Sequence, residues 1–274
     1  VHDLTPIVLR RTQTTKKKLA FWAQLQLLRF ADRVVADSVC TLTDLRNLHL
    51  LPRDSTDVVY AGPGVTPSAD DDGFASDLRP FALYVGGHGL HKNLARLMAA
   101  VARLPSSMLP RVVITGWSNR TLLANTLRHA NVHRVRDRVI VMPAGLSDER
   151  LSALYRHCAA FVYPSLYEGF GLPVLEAMAH GAPVACSGVS SIPEVGGNAV
   201  LYFDPTSIDE IAMSIRDIIT HPSLASALRE RGVEQSSRFT WTRTASQILA
   251  IAKRAAEEKH SRRPQPSPPE YRQV

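Results

Sequence analysis

Three features of the 274-residue sequence predict an α/β fold built on a parallel sheet. Between residues 81 and 220, short apolar runs alternate with stretches of helical periodicity, the pattern of strand–helix–strand units. Those runs are continuously apolar, as in strands covered on both faces. Glycines follow several of them directly, where a chain leaving a strand's carboxyl end must turn into a helix.

Taken in order, residues 17–30 carry Leu19, Trp22, Ala23 and Leu27 at three- and four-residue steps. This predicts a basic amphipathic helix with that stripe turned to the core. Residues 33–36 (RVVA) and 58–60 predict strands, and Thr41 with Asp44 reads as a capping box for the helix between them. The Pro-, Gly-, Ser- and Asp-rich stretch 61–80 marks a boundary. Asp70–Asp72 lie in it without a His or Glu partner nearby, and read as solvated linker charge rather than a metal site.

Beyond the boundary, strands are expected at 81–86, 111–115, 138–142, 160–163, 183–186 and 199–203. Helices are expected near 92–104, 119–131, 147–158, 172–180 and 207–220, joined by right-handed crossovers. Residues 222–258 read as two more helices, with Trp241, Ile248, Leu249 and Ala252 supporting the second. The expected units are 1–62, part of an N-terminal domain; 63–80, a linker; 81–239, the main domain; and 240–258, a C-terminal helix. Residues 259–274, with four prolines, read as a disordered tail.

The densest chemistry lies in 163–194. A strand ends at Pro164, a loop with Glu168, Gly169 and Gly171 follows, and a helix opens at Leu172 with Pro173 in its first turn. Glycines there admit close approach of backbone N–H groups, and the helix dipole favours an anion. Two carboxylates, Glu168 and Glu176, bracket this loop and suit a phosphate flanked by hydroxyls, as in a nucleotide sugar. Earlier, the strand from Phe81 runs into Gly86-Gly87-His88-Gly89-Leu90-His91-Lys92, and a lysine at a helix start can neutralise a departing diphosphate. The plainer reading is that strand–glycine–helix turns occur in any doubly wound fold and that such charges are solvated surface.

The run Glu168-Gly-Phe-Gly-Leu-Pro-Val-Leu-Glu176-Ala-Met-Ala-x-Gly-x-Pro-Val closely resembles the two-glutamate signature of family 4 glycosyltransferases, retaining enzymes of the GT-B fold. The resemblance implies a complete C-terminal Rossmann-like domain and a partial N-terminal one. It assigns Glu168 to sugar hydroxyls near the reacting carbon, and backbone groups of Gly169, Phe170, Gly171 and Leu172 to sugar and phosphate. Glu176 falls to the ribose, and Lys92 to donor phosphate in the Gly86–Gly87 loop, where Gly87 replaces an arginine common in the family. Gly116 lies beside the diphosphate; Gly145 and Leu146 read the base through main-chain groups. Val1-His-Asp-Leu resembles the family's His-Asp strand end, which makes His2 a third catalytic residue beside Glu168 and Lys92 and leaves most of the N-terminal domain outside this sequence. Pro193 and Glu194 resemble a structural Pro-Glu pair. No metal or cofactor is expected, because lysine and helix dipole meet the leaving phosphate.

The balance of 32 Lys and Arg against 25 Asp and Glu gives a net charge of +7, concentrated near the two ends. No zinc finger, RNA-binding signature or aromatic-interleaved basic ribbon accompanies it, so nucleic acid is not an expected partner. A phosphorylated substrate and peripheral contact with an anionic membrane remain. No apolar run spans a bilayer, and three scattered cysteines read as reduced thiols of a cytoplasmic protein.

The expected activity is hexosyl transfer, mannosyl favoured, from a nucleotide-diphosphate sugar to a saccharide or lipid-linked acceptor with retention. The alternative is a truncated, catalytically impaired remnant that binds the nucleotide sugar. A dinucleotide oxidoreductase is disfavoured, since no strand leads into Gly-x-Gly-x-x-Gly with a later acidic residue.

Overall fold

A computed structural model describes residues 1–9, 15–49, 51, 55–68, 72–87, 89–109, 111–116, 120–143 and 145–261. His88, Asp70, Asp71 and all but the first three residues of the expected tail lie outside them. The first unit contains α1 (Thr5–Val8), α2 (Thr15–Gln26), β1 (Val34–Ala36), α3 (Val39–Asn47) and β2 (Thr56–Val58). Then follow β3 (Phe81–Val85), α4 (Leu94–Ala102), β4 (Arg111–Thr115), α5 (Arg120–Val132), β5 (Val139–Val141), α6 (Asp148–His157) and β6 (Ala160–Tyr163). The chain continues through α7 (Leu172–Ala179), β7 (Val184–Ser187), α8 (Ile192–Gly196), β8 (Leu201–Phe203), α9 (Ile208–Thr220), α10 (Pro222–Ser236) and α11 (Trp241–Ser261).

Continuous apolar strands need cover on both faces, and β3, β6 and β7 are buried at every position. They form the middle of a six-stranded sheet in the order β5-β4-β3-β6-β7-β8, with every pairing parallel. The core on either side is Val-, Ala- and Leu-rich, with Phe81, Leu83, Tyr84, Phe161 and Tyr163 fully buried. Chain order doubles back at β3 and β6: β4 lies outside β3 on one side and β7 outside β6 on the other. That reversal opens a crevice at the strands' carboxyl ends.

One buried charge fastens the end of α4 to the turn ahead of β5. The Arg138 guanidinium donates to Val101 O (3.0 Å) and Leu104 O (2.9 Å) at the end of α4, and twice to Leu109 O (3.2 and 2.6 Å). It thereby satisfies carbonyls that the helix terminus and the following loop leave open.

In the first unit β1 and β2 pair in parallel, Val34 opposite Thr56, and the amino group of Val1 donates to Val35 O at 2.7 Å. Its small core holds Leu4, Leu25, Val34 and Leu45. Three expectations fail here and in α11. The helix α2 turns Leu25 inward with Phe21 and Leu28 beside it, while Leu19, Trp22, Ala23 and Leu27 face outward. Both stripes have helical spacing, so periodicity alone did not choose between them. Ser38, not Thr41, caps α3: its Oγ accepts from Thr41 N at 3.0 Å. In α11 Ile251 is the buried residue, whereas Ile248, Leu249 and Ala252 are exposed, and the helix runs on through residue 261. Asp72 is not merely solvated either: it accepts from Arg150 Nε at 3.0 Å.

Contacts between the first unit and the rest are numerous. Trp241 Nε1 donates to Pro63 O at 2.8 Å and Thr244 Oγ1 to Tyr60 O at 2.7 Å. Further along α11, Arg254 pairs with Asp57 (2.9 Å), Glu258 with Arg33, and Lys259 with Asp32 (3.1 Å).

Candidate functional site

The chain leaving β3 and the chain leaving β6 meet over the crevice. Gly86 follows β3 with φ +151° and Gly116 follows β4 with φ +92°. A Cβ on Gly116 would lie 2.8 Å from Gly86 N, so the two turns touch through bare backbone. Tyr84 OH donates to Gly87 O at 2.8 Å and holds the next residue of the loop. A single 3-10 turn over Leu90–Lys92 then delivers Lys92 to the start of α4.

Asn93, in the left-handed region at φ +60°, fixes that delivery. Its buried amide donates to Pro164 O (2.9 Å) in the loop after β6 and to Pro205 O (2.7 Å). Lys92 Nζ consequently lies 2.7 Å from Glu168 Oε1 and 2.9 Å from Tyr163 OH. The phenol in turn donates to Glu168 Oε1 at 3.0 Å. Lys92 and Glu168 keep only 15% and 12% of their side-chain surface exposed, so the pair is semi-enclosed and weakly screened by solvent. Burial, with Glu168 beside it, pushes the Tyr163 phenol well above its ordinary range and keeps it a neutral donor.

The Glu168 loop is secured from the far side. Its N–H donates to Ser190 Oγ (2.9 Å), and Ser191 Oγ donates to Glu168 O (2.9 Å) and Phe170 O (3.0 Å). Phe170 buries its ring against Tyr60 and Phe239, with centroids 5.9 and 6.1 Å away, and leaves its main chain at the loop. Gly171, at φ +109°, turns the chain into α7; Pro173 has no N–H and Val174 N donates to Gly171 O at 3.0 Å, so Leu172 carries the N–H left without a partner in the helix. Leu172 is the first residue of α7 and is partly exposed.

Glu176 lies one turn further in and is nearly buried. Its Oε2 accepts from Tyr155 OH at 2.8 Å and its Oε1 from Val65 N at 3.3 Å. Burial raises its pKa, and these hydrogen bonds hold the rise back. A Cβ on Gly64 would approach Glu176 Oε1 to 2.6 Å, so the turn that opens the linker is seated on this carboxylate. Gly145, at φ +78°, is exposed with open space beside it, and Leu146 packs partly into the core.

His2 arrives differently from the expectation. Its carbonyl presses on Gly169, where a Cβ would sit 1.8 Å from His2 O, but its imidazole is almost fully exposed and pairs with Asp37 Oδ2 at 3.2 Å. The ring faces Asp37, and not Lys92 or Glu168. It edges a cavity of about 340 Å³ shared with Asp37, Phe170, Leu172 and Trp241. Burial lifts the Asp37 carboxyl to about 6, against the opposing pull of His2.

The structure thus brings together Lys92, Glu168 and the Gly169–Leu172 turn, with Glu176 behind it. Tyr163, Asn93 and the Ser190–Ser191 pair complete the arrangement and were not expected to take part. Tyr163 read as an ordinary strand residue, since nothing in a single apolar run tells which hydroxyl will meet a neighbouring loop. For Asn93 a signal exists: an Asn between loop and helix is a common left-handed residue. Among the described residues no group of three or more His, Cys, Asp or Glu is placed to hold a metal ion. No helix among them is long and apolar enough to cross a membrane.

Comparison with known proteins bears on the family and the fold. O-antigen chain mannosyltransferase B of Escherichia coli is 36% identical over 174 residues, covering 62% of this chain and 44% of the relative. D-inositol 3-phosphate glycosyltransferase of Mycolicibacterium smegmatis is 29% identical over 255 residues, covering 88% of this chain and 57% of the relative. The chain therefore spans about half the length of these curated relatives. Sucrose-phosphate synthase from Thermosynechococcus elongatus superposes with a TM-score of 0.79 at 25% identity, over 94% of this chain and 67% of that one. Anabaena Alr3699/HepE in complex with UDP-glucose superposes with a TM-score of 0.73 at 19% identity, over 90% of this chain and 68% of that one, which shows a common fold. The parallel sheet matches that of GT-B glycosyltransferases. Residues 69–235, well over half of the chain, match the family Glycosyl transferases group 1, and the chain belongs to that family.

Proposed function

We propose that the crevice between β3 and β6 binds a nucleotide-diphosphate hexose, mannose favoured, and that the protein transfers the hexosyl group with retention to a saccharide or lipid-linked acceptor, as family 4 enzymes do. The observation that carries this reading is the Lys92–Tyr163–Glu168 cluster at the point where strand order reverses. Mannose is favoured because the E. coli relatives at 33–36% identity are described as mannosyltransferases.

In this reading Lys92 exchanges Glu168 for the donor's diphosphate and neutralises the charge that grows there as the glycosidic bond breaks. The Leu172 N–H that opens α7 faces the same phosphate. Glu168, still held by Tyr163 and the two serines, receives sugar hydroxyls; tied in this way, it is a positioned acceptor rather than a free nucleophile. Glu176 takes the ribose with its remaining lone pairs, and Gly145 with Leu146 meets the base. The leaving phosphate assists deprotonation of the acceptor. Lysine and helix dipole together supply the positive charge, so the reading requires neither metal nor cofactor. His2 contributes its main chain beside Gly169 and its ring at the cavity mouth. An anionic bilayer surface is a further partner in this reading, met by the outward Leu19 and Trp22 of α2 and Leu27 just after it, with Lys16 and Lys18 alongside.

A calorimetric panel of nucleosides, nucleoside diphosphates and nucleotide sugars tests the donor site. One base type should bind; Lys92→Ala should weaken diphosphates about tenfold or more while changing nucleoside binding little, and Glu176→Ala should weaken both. Equal losses of nucleoside and diphosphate in Lys92→Ala would remove the phosphate assignment. Co-sedimentation with vesicles rich in acidic lipid tests the bilayer contact, and Trp22→Glu should abolish it.

A further inference from the structure

We infer that Glu194 is a positioning residue: it fastens the first unit of the chain to the Glu168 loop and so sets how the two walls of the site meet. The side chain belongs to α8, but its partners are in the other unit. Oε2 accepts from Val39 N at 2.7 Å and Oε1 from Cys40 N at 2.8 Å. Tyr60 OH, at the entry to the linker, donates to Oε2 at 3.1 Å. Val39 and Cys40 are the first two residues of α3, and Ser38 Oγ takes the N–H of the next. Three donors that a helix leaves open at its start are thus satisfied, two of them by a carboxylate 154 and 155 positions away, at the helix end where negative charge is favoured.

The same short segment grips the loop from the other side. Ser190 and Ser191, just ahead of α8, hold the main chain of Glu168 and Phe170, while Thr41 Oγ1 of α3 donates to Gly169 O at 3.2 Å. Loop, α8 and α3 form a closed ring of contacts, and Glu194 is its charged link. A helix-capping role alone would affect stability only. Because the ring includes the Gly169 seat of His2, loss of Glu194 should also shift the first unit relative to the loop.

The functional arm of the test rests on the donor reading above; the exchange arm does not. Hydrogen exchange, calorimetric donor binding and transfer kinetics are compared for the full chain and for Glu194→Ala, Glu194→Gln and Tyr60→Phe. In Glu194→Ala, exchange at residues 39–42 should rise about tenfold, with β3–β8 protected as before. Donor affinity should stay within about twofold while kcat falls roughly tenfold to a hundredfold. Glu194→Gln, which keeps one acceptor oxygen for two N–H groups, should fall between, and it carries the test if the alanine variant does not fold. Tyr60→Phe should show the smallest effect. Unchanged exchange at 39–42 would overturn the proposal, as would donor affinity falling in step with kcat. Failure of the unsubstituted chain to bind any nucleotide sugar would instead overturn the donor reading, and the exchange result would still decide on Glu194.

Discussion

Asp37 carries the most distinctive acid of the first unit. Its side chain is 15% exposed and its Oδ1 is buried without a hydrogen-bond partner, so burial raises its pKa from near 3.8 to about 6. The folded protein then binds this proton more tightly than the unfolded chain, and stability falls as pH rises through the window from about 3.8 to about 6. Glu176, shifted the same way, adds to that slope. Asp37→Asn, neutral throughout, should gain on the parent by up to about 3 kcal/mol between pH 4 and pH 7 in urea unfolding. A gain that shrinks with rising pH would contradict the sign. Residues at this scale were unevenly legible. Lys92, Glu168 and Glu176 stand out because charge beside glycine at a strand end is chemically conspicuous. The hydroxyl of Tyr163 and the partners of Glu194 depend on which strands and helices become neighbours, and no local pattern carries that information. The His2 ring was misplaced for the same reason: its neighbour Asp37 lies beyond two helices and a strand.

Among the elements, the strands of the main sheet were the most legible. β4 and β6 occupy the expected residues and the others differ by one or two, because short apolar runs bounded by Gly, Pro or charge leave little freedom. Helix faces were harder. In α2 and α11 two apolar stripes compete, and the buried one is chosen by what lies beneath it. Arg138 exemplifies an element-level device invisible to periodicity, a cation that terminates α4 from the 3-10 turn ahead of β5. Burial lowers its pKa, but its four hydrogen bonds hold it in place. Arg138→Met should cost about 3 kcal/mol in chemical denaturation, since several carbonyls lose a charged donor at once. It should also raise hydrogen exchange at residues 101–109. A loss below about 0.5 kcal/mol would mean that solvent replaces the guanidinium without penalty.

At the scale of the whole molecule, α11 acts as a strap. It leaves the main unit at Trp241, meets the linker at Pro63 and the first unit at Tyr60, and ends in ion pairs with Arg33, Asp57 and Asp32. Of these pairs only Lys259–Asp32 is exposed at both partners and contributes about 0–1 kcal/mol; Arg33 and Asp57 keep 17% and 20% of their side-chain surface, so the strap rests on semi-enclosed charge as well as on Trp241 and Ile251. A chain ending at Arg238 should lose hydrogen-exchange protection in α3 and β2 while β3–β8 keep theirs. Raising the salt concentration on the intact chain should have a much smaller effect.

The strand order has one more consequence. Lys92 and Glu168 are 76 positions apart and meet only because β3 and β6 lie side by side. A growing polypeptide that has emerged as far as α6 carries the lysine but not β6, Glu168 or Glu176. On the proposed reading of the site, donor capture can begin only after β6 and α7 have been made and docked, and retention of a nucleotide would serve as a late reporter of assembly, silent in every shorter nascent chain.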